Sequence, residues 1–281
     1  MRRGLLTLSL ACLVLTSGFG PPASNIFKSQ GRPASSCSKA GGFSQYVLAL
    51  SWAPSFCGAN TSHCGLKECQ NLSGSFAGNH LTLHGLWPQY TDAEAPSGCT
   101  YPSNCQGPAY DPSTLPTDMA KYAPAYALDG LGAHEWPKHG TCSGLTQPAF
   151  YQSALRVFQS LGGDQGTPGA LTQNIGGQVA LATLQKAFGN VPAESVTLSC
   201  DKACNLQQVG ICFGADAQGN PTAPAACPQS TTKSNYDNSC VVGVSGGKTP
   251  QQPMCPMIKL RAPAGTCATG SGSGAGQGKN R

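Results

Sequence analysis

The chain is 281 residues long, with only 10% charged residues, 36 glycines, 22 prolines and 15 cysteines. Its formal charge of +5 misleads: setting aside Arg2, Arg3, Lys28, Arg32, Lys279 and Arg281 leaves 11 basic against 12 acidic side chains between residues 37 and 267, a net of −1. That balance excludes a polybasic binder whose affinity comes from many phosphate contacts.

In chain order, Met1 to Ala23 carries Arg2-Arg3, an apolar run from Leu5 to Leu15, and then small residues, Gly and Pro. The pattern is that of a secretory signal peptide, with an apolar run too short to span a bilayer. It outweighs a buried N-terminal element and a lipid anchor at Cys12. Residues 24–36 read as a flexible N-terminal segment. Tyr46 to Trp52 is a short, apolar, buried strand, and Cys57 to Gly78 a cysteine-studded loop region with sequons at Asn60-Thr61-Ser62 and Asn71-Leu72-Ser73. Leu81 to Leu86 reads as a strand or a helix edge, cut off by Pro88, and Pro96 to Pro116 as loop.

Pro148 to Leu161 is the clearest helix, with Phe150, Ala154 and Phe158 at i, i+4, i+8 and Gly162 at its end. A second helix is expected over Gln178 to Phe188, with Leu181, Leu184 and Phe188 on one face. Strands are expected at Ser195 to Ser199, at Leu206 to Phe213 (Val209, Ile211 and Phe213 alternating) and at Met257 to Leu260. The sum is an α+β fold: a single disulfide-rich domain over 37–267 with a central, mostly antiparallel sheet flanked by helices. Residues 268–281 form a Gly/Ser-rich tail expected to be disordered. Without Cys12, 14 cysteines remain in a chain that reads as secreted, so seven disulfides are the default. A cysteine metal site is disfavoured, because the cysteines are scattered with no Cys-x-x-Cys.

Four of the five histidines fall in two short segments that also hold a tryptophan: His80-Leu81-Thr82-Leu83-His84-Gly85-Leu86-Trp87-Pro88 and His134-Glu135-Trp136-Pro137-Lys138-His139-Gly140-Thr141-Cys142. Two imidazoles from distant segments, with an ammonium and a carboxyl, can cleave a phosphodiester by acid–base chemistry without a cofactor or metal. Imidazole, with a pKa of ~6.5, serves as either acid or base, so the residues alone do not say which histidine does which. His134-Glu135 also suggests a zinc helix, but the next histidine comes five residues on rather than four. That offset turns it about 140° away on a helix, and Pro137 disfavours a helix interior.

These segments resemble the two active-site signatures of the T2 family of secreted ribonucleases. His84 to Pro88 is similar to its His-Gly-Leu-Trp-Pro, and His134 to Cys142 to its His-Glu-Trp-x-Lys-His-Gly-Thr-Cys. Tyr46 to Cys57 looks like the family's first core strand, and Cys200 to Pro228 has the spacing of its late cysteine region; Ser230 to Cys267 has little counterpart. The resemblance implies His139 as general base, His84 as general acid, His134 on the phosphate or the attacking hydroxyl, and Glu135 and Lys138 stabilising the phosphorane. It implies cleavage of single-stranded RNA through a 2′,3′-cyclic phosphate, with little base specificity and no DNA, because the 2′-OH is the nucleophile. It also implies that Cys142 pairs with Cys99 or Cys105.

Trp87 is a candidate base-stacking platform and equally a core residue. Gln89 follows where many members carry an Asp that contacts a purine, and Tyr90 lies beside it. Leu131 stands where an aromatic often cradles the second base. His63 and His80 read as surface or structural residues. The expected protein is a monomer, secreted or in an acidic lumen such as a vacuole or lysosome, with no membrane association once the signal is removed. The rival reading is a catalytically silent relative that binds RNA or serves as a storage protein; loss of a catalytic histidine would mark it, and none is lost.

Overall fold

The computed structural model describes residues 36–263 except 60, 71, 92, 229–237 and 242–253. The expected signal peptide, the flexible segment up to residue 35, the tail, and the sequon residues Asn60 and Asn71 lie outside the described residues. The strands are β1 (Gln45–Ser51), β2 (Thr82–Gln89), β3 (Gln178–Ala180), β4 (Val196–Cys200), β5 (Leu206–Ala215), β6 (Pro221–Pro224) and β7 (Met257–Lys259). The helices are α1 (Ala53–Ala59), α2 (Phe76–Asn79), α3 (Met119–Tyr122), α4 (Pro124–Leu128), α5 (Gly132–Lys138), α6 (Gln147–Ser160), α7 (Gly169–Thr172) and α8 (Leu181–Gln185). The main sheet runs β2-β1-β5-β4, with β6 also on β5, and every pairing in it is antiparallel. The architecture is α+β, a mostly antiparallel sheet with helices against it.

β1 is the keystone because neighbours cover both of its edges and side chains cover both of its faces. Alternation sends Tyr46, Leu48 and Leu50 into the main core, where α6 packs on the sheet through Phe150, Ala154 and Phe158. Val47 and Ala49 point the other way, into a smaller cluster with Trp87 and the bridged pair Cys212–Cys227. β2 is the outer neighbour of β1 and runs through Pro88, opposite Tyr46, rather than stopping before it. An edge strand admits proline because one side of its backbone makes no ladder bonds.

Elsewhere the structure corrects the expected elements. The region after β1 is not simply loop: α1 follows directly, then short 3₁₀ turns at Thr61–Gly65, Lys67–Cys69 and Leu72–Gly74, then α2. The helix expected over Gln178 to Phe188 is divided. Its first residues pair with β7 (Gln178↔Lys259, Val179↔Ile258), and only Leu181–Gln185 is helical, still burying Leu181 and Leu184. A partner strand far along the chain overrides the local helical period there. α5 is a helix despite Pro137, which stands next to last, where its missing N–H removes a single intrahelical bond.

Six disulfides join described residues: Cys37–Cys99, Cys57–Cys69, Cys105–Cys142, Cys200–Cys240, Cys204–Cys255 and Cys212–Cys227. Cys64 is disulfide-bonded as well. Of the two partners open to Cys142, the structure has Cys105, and Cys99 goes to Cys37. At roughly 2–4 kcal/mol each, such bridges fix a fold whose connections are long and rich in glycine and proline.

Candidate active site

His84 owes its position to an irregularity in β2. Ala49 of β1 pairs with Gly85 and Leu50 pairs with Leu83, so His84 is the extra residue of a β-bulge. A bulge leaves one residue unpaired, re-aims its side chain and shifts the register beyond it by one residue. Leu83 and Leu86 therefore both reach the main core, while the His84 side chain keeps 32% exposure. Its Nδ1 shares a 3.2 Å hydrogen bond with Ser51 Oγ, and its carbonyl accepts a 2.8 Å bond from the Tyr126 hydroxyl.

α5 supplies the opposite wall. Trp136 is buried against Phe150 and Tyr151 and donates its indole N–H to the Pro108 carbonyl at 2.8 Å, which fixes the helix's rotation. With that face inward, Glu135 is buried beside it. His134 and Lys138, four residues apart, share the outer side of the helix.

The Glu135 carboxylate joins the two segments. Its Oε1 lies 3.5 Å from His84 Nε2, and its Oε2 accepts a 2.6 Å hydrogen bond from the Trp87 indole. Burial works against its charge, but hydrogen bonding and attraction from His84, attraction from His139 and the Trp87 N–H together hold its pKa below the ordinary carboxylate value. The glycine of the first segment is required by this approach, because a Cβ at residue 85 would collide with the Glu135 carboxylate and the Trp87 indole. Gly140 is required likewise: a Cβ there would enter the Trp136 ring.

His139 lies just past the end of α5 and is only 1% exposed. Trp87 stands between the two imidazoles, its ring 5.4 Å from His84 and 5.3 Å from His139, and Tyr101 flanks His139 at 6.0 Å. Burial pushes the His139 pKa from 6.5 down to about 3; Glu135 opposes that shift, while Lys138, His134 and His84 add to it. The Cys105–Cys142 bridge and the 3.0 Å bond from Asn104 N–H to the Lys138 carbonyl pin this corner to the loop that follows β2.

The structure thus brings His84, Glu135 and His139 together, with His134 and Lys138 on the adjoining helix. Of the expected base contacts, Trp87 is 7% exposed and its N–H is committed to Glu135. Gln89 is buried and donates from its side-chain amide to the Tyr90 and Thr100 carbonyls. Gln89 and Tyr90 line a cavity of ≈ 380 Å³ with the 95–100 loop. Leu131 lines a different cavity, of ≈ 740 Å³, with His84 and His134. Sequence reasoning missed Ser51, Tyr101 and Tyr126. Ser51 alone left a trace, as a polar residue ending an apolar strand. His63 and His80 stack on Phe56 and Phe76 and donate to their carbonyls, away from this constellation.

Known proteins resemble the chain as follows. The model of the Ribonuclease T2 family matches residues 43–222. Over 126 residues the chain is 38% identical to a ribonuclease of Aeromonas hydrophila, covering 43% of this chain and 47% of that one, so it spans about half of that relative's length. Over 185 residues it is 31% identical to the extracellular ribonuclease LE of Solanum lycopersicum, covering 59% of this chain and 76% of that protein. A self-incompatibility-associated ribonuclease of Nicotiana alata superposes with a TM-score of 0.45 at 23% identity, covering 67% of this chain and 93% of that one.

Proposed function

The chain belongs to the Ribonuclease T2 family, and from that premise we propose that it is an endoribonuclease that cleaves single-stranded RNA by transphosphorylation. The observation that carries the reading is the unequal pair of imidazoles on either side of Trp87. His139, buried and held neutral, is the general base that takes the proton from the ribose 2′-OH. The oxygen attacks phosphorus, and His84, which reaches solvent and faces an ionised carboxylate, delivers a proton to the departing 5′-oxygen. The products are a 2′,3′-cyclic phosphate and a free 5′-hydroxyl.

Glu135 enters this scheme as an anion. It orients His84 and Trp87 and offsets the charge of a protonated imidazole, so Lys138 supplies the positive charge for the phosphorane, with His134 holding the phosphate or the attacking hydroxyl. Each acid–base role is worth ~10²–10⁴-fold in rate. No step in this scheme requires a metal ion.

Little base discrimination is proposed on the 5′ side of the scissile bond, because the Gln89 amide N–H groups are already given to backbone carbonyls. An oxidising, acidic setting suits the protein, whether outside the cell or in an acidic lumen. Its disulfides call for the first, and a base that stays neutral down to about pH 3 tolerates the second. No helix among the described residues is long and apolar enough to cross a membrane.

The test is digestion of mixed-sequence RNA by the oxidised protein in excess EDTA, beside a His139→Ala control, with the product termini identified. Cyclic 2′,3′-phosphate ends that vanish in the control are expected. A folded protein that cleaves nothing, or whose cleavage EDTA abolishes, would overturn the reading.

A further inference from the structure

The ≈ 740 Å³ cavity beside His84 contains a group that the chemistry above leaves unused. Its walls include the apolar side chains of Phe56, Leu66 and Leu131, and His84 and His134 open onto it, whereas His139 and Trp87 do not line it. Two carboxylates also line it, Glu68 and Asp129. Asp129 is fully engaged as a brace: its two oxygens accept the backbone N–H groups of Lys67 and Glu68 at 2.9 and 2.8 Å. The neighbouring Cys69 is bridged to Cys57. The backbone carrying Glu68 is therefore held at both ends, while its carboxyl receives no hydrogen bond from a described residue. Apolar walls with one fixed polar edge suit a flat nucleobase, stacked on its faces and read along its rim.

We infer that Glu68 selects the base that follows the cleaved phosphodiester, and that it favours guanine. The inference rests on the ribonuclease reading, in which His84 protonates the 5′-oxygen of the leaving nucleotide. That nucleotide's base then falls on the His84 side, where the cavity lies. Guanine alone among the four bases offers two adjacent N–H donors, N1 and N2, on its Watson–Crick edge. An ionised carboxylate accepts both in a two-pronged bond, while uracil, cytosine and adenine offer it one. A good bidentate contact discriminates by ~5- to 100-fold.

The preference carries its own pH signature. Burial raises the Glu68 carboxyl to about 7, Asp129 adding to the shift and His84 opposing it. The charged and titratable groups around it are Asp129, His84 and His134 in the cavity, with Lys67 next along the chain. Guanine selection is complete above that value and fades as the carboxyl takes a proton below it. A ratio of rates on two substrates cancels the titration of the catalytic histidines that both substrates share.

The experiment measures kcat/KM for the dinucleoside monophosphates CpG, CpA, CpC and CpU, from pH 5.5 to 8.5, with the wild type and Glu68→Gln. Binding of 5′-GMP, 5′-AMP, 5′-CMP and 5′-UMP to the wild type is measured alongside. The CpG/CpU ratio is expected to be ~10 at pH 8.5, to approach ~1 by pH 5.5, and to stay near ~1 throughout in Glu68→Gln. A wild-type ratio that does not change with pH, or one unaltered in the variant, overturns the assignment. If the wild type cleaves none of the four, the ribonuclease reading fails; the binding series then decides this inference separately, equal affinity for the four nucleotides overturning it and tighter 5′-GMP supporting it.

Discussion

His84 and His139 are interchangeable as residue types, yet the protein places them in opposite surroundings. One stands on a strand bulge, part-exposed, between a serine hydroxyl and a carboxylate. The other is sealed behind the end of a seven-residue helix, against Trp87 and Tyr101, where burial drives off its proton. In the proposed scheme, acid and base are set by dielectric and neighbours rather than by residue type. A single carboxylate, that of Glu135, feels both rings.

The most direct way to break the comparison is to remove either ring. His84→Ala and His139→Ala should each lower kcat on RNA by ~10²–10⁴-fold, while the near-ultraviolet circular dichroism of the oxidised protein stays native. Combining the two should cost much less than the product of the single effects, since the residues act as a unit.

Next in size is Gly85→Ala. The added methyl must displace Glu135 or Trp87, so a kcat loss of about 10²-fold and a destabilisation of roughly 1–3 kcal/mol are expected. Wild-type kinetics in this variant would mean that the Glu135 contact can be relaxed without cost.

The burial of His139 adds its own component to the pH dependence of folding stability. The unfolded imidazole binds its proton near pH 6.5, the folded one only near 3. Between those values the unfolded chain holds more protons at this site, so the His139 component of stability should fall as the pH is lowered through that window, by up to ~1.4 kcal/mol per unit. Denaturant melts of His139→Ala should lose that component of the slope, whereas His84→Ala should retain it.

Smaller changes sharpen the contrast. Trp87→Phe keeps a ring between the imidazoles but removes the N–H to Glu135, and about a 10-fold loss of kcat is expected from one charged hydrogen bond. Ser51→Ala frees the Nδ1 side of His84 and should lower kcat by ~2- to 10-fold, the worth of an ordinary hydrogen bond. The His139-linked stability slope should be unchanged in Ser51→Ala.

Much of the frame was legible in the chain. The i, i+4, i+8 spacing of Phe150, Ala154 and Phe158 marked α6 to within one residue at each end. The alternation of Val209, Ile211 and Phe213 marked β5, which runs two residues further than expected. Where pairing was remote the local pattern misled, as at Gln178 to Ala180, which reads as helix and is claimed as strand by Met257 to Lys259. The run of Pro137 after Trp136 argued against a helix, but a helix of seven residues loses little by a proline near its end.

By itself the sequence determined the cast: two histidine segments, the carboxyl and ammonium among them, and the glycines that let them approach. It also determined the fold class, through periodicities that depend only on a residue's near neighbours. Tertiary structure alone decided that His84 occupies a bulge, that Cys142 is tied to Cys105 rather than Cys99, that His139 is buried, and that the Glu68 carboxyl overlooks the cavity beyond. The division has a physical cause. Side-chain chemistry and local period are carried residue by residue, whereas strand register, burial and electric field are sums over parts of the chain that meet only once it is folded.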